Sequence, residues 1–172
     1  MGLINKNQSG MSLVEVMLYI SISTIIMITL SYFMFTVIKT RVKSQTITEV
    51  DYQGNQAIYL IAEKIRNSKS VSLPIPHQSS DSITLITFEE TNNPTVFSLI
   101  DGKVFLSEGT SDPIQITSNR VTITKLDISN ISDDSRIFRI DLEVTHRNPE
   151  NIIEYNFTES FTGSAAIRYE YL

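Results

Sequence analysis

The chain has 172 residues, a formal net charge of −5 and no cysteine. That length fits one ordinary domain plus a membrane segment, and the missing thiols exclude disulfides, thiolate chemistry and cysteine-based zinc sites. From Ser70 to Leu172 seven basic residues face fifteen acidic ones, so this part lacks the clustered Lys and Arg that neutralise nucleic-acid phosphates.

In chain order, a short polar leader (MGLINKNQSG, residues 1–10) comes first, and an apolar run, LVEVMLYISISTIIMITLSYFMFTVI, fills positions 13–38. The run contains no Pro or Gly and a single charge, Glu15. As a helix rising about 1.5 Å per residue it exceeds the roughly 30 Å hydrocarbon core of a bilayer. It is apolar on every face, which a core helix of a soluble protein rarely sustains, and predicts a membrane helix over 11–38. No small-residue A-x-A-like site comes after it, so ordinary secretory cleavage is not indicated. A carboxylate within hydrocarbon is costly, which makes Glu15 a functional candidate.

Lys39, Arg41 and Lys43 stand just beyond the run. The positive-inside rule alone would keep the C-terminal part of the chain on the cytoplasmic side. The helix is expected to continue to about Asn67, roughly 85 Å from Met11. Across 39–69 the residues Val42, Val50, Ala57, Ile58, Ile61 and Ile65 fall mostly at three-, four- and seven-residue steps, an amphipathic stripe suited to packing against a C-terminal domain. Pro74 and Pro76 lie beyond the helix.

Positions 70–172 change to a strand pattern. Ser82–Phe88, Thr95–Ile100 and Lys103–Leu106 are rich in β-branched and aromatic residues, and Asp101-Gly102 is a two-residue hairpin signal. Arg120–Ile128 and Arg136–Val144 alternate, and Asn148-Pro149-Glu150-Asn151 turns the chain into Ile152–Phe161. The expected fold class is α+β: one long N-terminal helix, then a head of about six mostly antiparallel strands.

No catalytic constellation is evident. His77 and His146 lack metal-pair spacing and read as solvent-facing loop or strand-end residues. Asp133-Asp134, with Asp127 nearby, offers oxygens to calcium but matches no EF-hand loop, and reads as an acidic surface turn. No G-x-S-x-G, P-loop or G-x-G-x-x-G occurs. The residues call for no cofactor and no metal.

Gly10-Met11-Ser12-Leu13-Val14-Glu15-Val16-Met17, set directly before a long apolar helix, resembles the processing signal of type IV pilins and type II secretion pseudopilins. The resemblance implies that a prepilin peptidase cuts between Gly10 and Met11 and that the new Met11 amine is methylated. Met11 stands where a phenylalanine is usual, and the helix lacks the proline that many major pilins carry. The resemblance further implies that Glu15 meets the terminal amine of a neighbouring subunit and sets axial register. A cation there would hold the carboxylate charged, whereas a lone carboxylate in an apolar bundle would tend to protonate. This processing motif outranks the positive-inside signal and puts the head outside the cytoplasm, with a single-pass anchor in the inner membrane and later residence in a periplasmic or cell-surface filament.

Tyr52–Val71, Ile116–Ile128 and Phe161–Tyr169 are similar to segments of J-type minor pseudopilins and related minor pilins. Other major and minor pilins or pseudopilins and an inner-membrane assembly platform are then the implied partners. The expected function is a minor filament subunit for secretion, adhesion, motility or DNA uptake, not an enzyme. The rival class is a single-helix, membrane-anchored binding module, which would keep residues 1–10 and tolerate Glu15→Leu.

Overall fold

The computed structural model describes residues 10–168. The chain divides into two compact units, one ending at Arg41 and one beginning at Val42. Helix α1 runs from Leu13 to Arg66, close to the expected limits.

In the first unit every residue from Gly10 to Arg41 is exposed. Several of its Ser and Thr hydroxyls bond to the helix's own backbone. Ser21, Thr24, Ser31 and Thr36 donate to the carbonyls of Met17, Ile20, Met27 and Tyr32 at 2.8, 2.7, 2.8 and 3.0 Å, and Thr29 donates to Ile25 at 2.9 Å. Hydroxyls satisfied in this way can lie in lipid without water as a partner. Among the described residues, α1 is the one helix long and apolar enough to cross a membrane.

The second unit is built on two antiparallel sheets. One orders β1 (Ser70–Leu73), β3 (Ser82–Ile86), β4 (Thr95–Ile100), β5 (Lys103–Glu108) and β6 (Ile114–Gln115); the other orders β2 (Ser79–Ser80), β7 (Val121–Asn130), β8 (Ile137–His146) and β9 (Thr158–Ala166). The apolar stripe of α1 reaches the core as expected. Val50, Ala57, Ile61 and Ile65 are buried with Ile83, Leu85, Phe97 and Val104 of the first sheet and Ile128, Phe138, Ile140 and Val144 of the second. Each of the larger side chains contributes about 1.5–3 kcal/mol by leaving water.

Two glycines let α1 approach β9. A Cβ on Gly54 would lie 2.3 Å from the Phe161 ring, and one on Gly163 would lie 2.4 Å from Ile58 Cγ2. Each glycine is the hollow that receives a side chain from the opposite element. Asp101 and Gly102 both have positive φ, 50° and 71°, which is the primed turn predicted between β4 and β5.

The structure departs from the sequence expectation in the strands. Among the described residues nine strands form two sheets, where about six strands were expected. The additional β1, β2 and β6 are two to four residues long, too short to show an alternating pattern, and their register comes from neighbouring strands. The last strand is Thr158–Ala166 and not Ile152–Phe161. Ile153–Tyr155 forms a 3-10 turn, because the Asn148 side chain accepts from Ile152 N at 2.9 Å and donates to Ile152 O at 2.8 Å. That local pairing occupies the backbone groups a strand would need.

Candidate functional site

The motif residues sit at the start of α1. Gly10, Met11 and Ser12 precede the helix and are exposed, so the Gly10–Met11 peptide bond lies on accessible, non-helical chain. The leader residues 1–9, including Lys6, fall outside the described residues. Ser12 supplies the first helical acceptor, its carbonyl taking the Val16 N–H at 3.1 Å. Glu15 is in the first turn, where a carboxylate is favoured by the unpaired N–H groups and the helix dipole. The order Ser12-Leu13-Val14-Glu15 also has the spacing of a capping box, a second reason for an acid at this position. One turn on, Tyr19 Oη donates to Glu15 Oε1 at 3.4 Å. Tyr19 is a neighbour of Glu15 that sequence reasoning missed, although the four-residue spacing could have revealed it.

A second polar group lies within the 42–168 unit. Glu49 Oε1 accepts from Ser118 Oγ at 3.0 Å and from Gln53 Nε2 at 3.3 Å, while Gln53 Oε1 accepts from Ser118 N at 3.0 Å. Arg120 Nη1 stands 3.7 Å from Glu49 Oε2. These contacts tie the helix to the loop before β7. His146 ends β8 next to this group and stacks on Tyr155, ring centres 5.3 Å apart and planes at 15°. Its Nδ1 is buried and lacks a hydrogen-bond partner among the described residues. Burial, reinforced by the Arg120 charge, holds the imidazole below its ordinary pKa; Glu49 and a backbone hydrogen bond at Arg147 act the other way. His146 is at a strand end, as expected, but it is half-buried and not fully solvent-facing, with the Tyr155 ring stacked on it. His77 is exposed and pairs with Asp133 at 2.7 Å.

The acidic turn is engaged by side chains of its own chain. Besides the His77–Asp133 pair, Asp134 stands 3.2 Å from Arg136 Nε. Across the unit, the Asp51 carboxyl on α1 pushes the Glu159 carboxyl on β9 above its ordinary range. Among the described residues no three His, Asp or Glu side chains converge as metal ligands would.

Comparison with known proteins adds one finding. The prokaryotic N-terminal methylation motif matches residues 5–31, which include Gly10, Met11, Glu15 and Tyr19. The match supports the type IV pilin-like family and indicates a prepilin-peptidase substrate, and the apolar N-terminal helix fits a membrane anchor. No curated protein and no solved structure matches the chain.

Proposed function

We propose that this chain is a minor pilin or pseudopilin: it is cut between Gly10 and Met11, methylated on Met11, and packed through α1 into a filament with its β-rich head outside the cytoplasm. The supporting observation is the first unit itself. From Leu13 to Arg41 it is a helix exposed along its whole length, and the one charge within its apolar run, Glu15, sits in the first turn. Such a surface needs lipid or other helices around it, and pooling equivalent helices in a filament centre supplies the latter. Glu15 meets the freed amine of a neighbouring subunit and sets axial register, with Tyr19 holding the carboxylate until the neighbour arrives. The chain performs no catalysis itself. Force comes from a separate assembly ATPase acting through an inner-membrane platform, and other major and minor subunits are the partners of the head.

Glu15→Leu, expressed beside the other subunits and the peptidase, tests this reading. The variant is still cut but is lost from sheared filament fractions, while Glu15→Asp keeps part of its incorporation. Incorporation of Glu15→Leu at the level of the unchanged chain would contradict the register role and favour the anchored binding module.

A further inference from the structure

Among the described residues four strands edge the two sheets, and three of them are blunted. β2 and β6 have two residues each, and β1 has four with a register shift between Val71 and Leu73. β9 differs. It runs for nine residues, pairs with β8 from Thr158 to Ala166 without a shift, and contains no proline or lysine. Short strands, bulges, lysine and proline are devices that keep an edge from recruiting another chain, and β9 has none of these four. Its single charge is Glu159.

The free side of β9 can be read from its ends. Phe157 O accepts from His146 N and Ile167 N donates to Arg136 O, each at 2.9 Å, so the odd-numbered residues turn their backbone toward β8. By the alternation of an antiparallel ladder, the N–H and C=O groups of Thr158, Ser160, Thr162 and Ser164 point away from the sheet. Arg66 Nη2 donates to Ser164 O at 3.2 Å. The outward groups of Thr158, Ser160 and Thr162 have no partner among the described residues. Water can satisfy them singly, and an extended backbone satisfies them together.

Charge specifies the kind of strand that fits. Beside one end of the edge, the Asp51 carboxyl of α1 crowds Glu159 and holds it above its ordinary range. Beside the other end stands Arg66, bound to Ser164 and taking the Arg168 N–H on its own carbonyl at 3.3 Å. On the solvent face the charges are already matched: Arg139 pairs with Asp141 at 2.9 Å, and Lys125 lies across from Glu143. The edge is therefore acidic at Glu159 and basic at Ser164. β9 itself has no cation, so the same strand of a second copy brings nothing to the acidic end.

We propose that the outer edge of β9 receives an extended strand of another protein, antiparallel to residues 158–166, with a cation opposite Glu159 and an acid near Arg66. Antiparallel pairing is the more stable direction, and directly opposite residues share a face with Cβ atoms about 5 Å apart. The site lies within the 42–168 unit and does not depend on cleavage at Gly10.

The probe is the peptide Thr-Glu-Thr-Val-Thr-Val-Thr-Lys-Thr, titrated into the isotope-labelled full chain in detergent micelles and followed by NMR. Its lysine falls opposite Glu159 and its glutamate opposite Ala165. It should bind with a Kd of about 1 mM or tighter, and exchanging its glutamate and lysine should weaken binding about tenfold. Binding should slow hydrogen exchange at Ser160 and Thr162, and N-methylation of the peptide backbone should abolish it. Thr162→Pro removes an outward N–H at a place where an edge strand tolerates proline, and should abolish binding with the head still folded. Should that variant misfold, Glu159→Lys decides, because it should erase the preference for the first peptide. Equal binding of the two peptides, binding that leaves exchange at Ser160 and Thr162 unchanged, or no binding would each overturn the proposal. Dimers of the chain that slow the same amides without peptide would assign the edge to a second copy and also overturn it.

Discussion

The two halves of α1 share one backbone geometry and have opposite surroundings. From Leu13 to Arg41 every side chain is exposed, whereas from Val42 to Arg66 the helix buries Val50, Ala57, Ile61 and Ile65 against two sheets. Helix propensity does not separate the halves. The first is apolar on all sides and turns its hydroxyls onto its own carbonyls; the second confines its apolar groups to one stripe and opens a hollow at Gly54. The first half is built for an environment outside the chain, and the second finds its environment within it. Mutations should therefore affect folding stability in one half and association in the other.

The largest expected effect sharpens that contrast. Phe97 is fully buried and Phe33 is 66% exposed. Phe97→Ala should destabilise the head by about 3–5 kcal/mol, and Phe33→Ala should leave denaturant unfolding of the detergent-solubilised chain unchanged. Equal losses from both would show that the apolar half is part of the folding core.

A smaller effect is expected at the helix–sheet contact. Gly54→Val places methyl groups into the Phe161 ring and should cost about 1–3 kcal/mol. Combining it with Phe161→Ala should recover part of that loss, a non-additivity that a double-mutant cycle reads directly. Strict additivity would mean that the hollow and the ring do not meet.

The smallest effect is a pH dependence confined to the head. Because His146 has a folded pKa below its ordinary 6.5, the unfolded chain takes up the proton first as pH falls. Stability is therefore complete above about pH 6.5 and is lost as the pH drops below that value. Melting temperatures of the unchanged chain should fall over this window, and His146→Gln should flatten the fall. A slope that survives His146→Gln belongs to other groups.

Much of this organisation is legible in the sequence where the signal is local. The motif from Gly10 to Met17 is contiguous, the apolar run is long, and the alternation in β7 and β8 spans ten residues each. The features that stay hidden depend on pairing at a distance. Gly54 reads as a weak point in a helix until Phe161 is seen against it. Gly163-Ser164-Ala165-Ala166 has poor strand propensity, yet it extends β9 because Gly163 receives Ile58 and the chain pairs with β8. His146 reads as a solvent-facing loop or strand-end residue because nothing in its neighbours announces that Tyr155 will stack on it. The Glu15–Tyr19 pair was within reach of sequence reasoning, since both residues lie one turn apart in the same motif.

The central claim is processing, and the most direct measurement is the intact mass of the membrane-extracted chain expressed with and without a prepilin peptidase. The account predicts that the peptidase removes residues 1–10 and that the remaining chain, beginning at Met11, carries one added methyl group. A chain of unchanged mass in both samples, with residues 1–10 still attached, would contradict it.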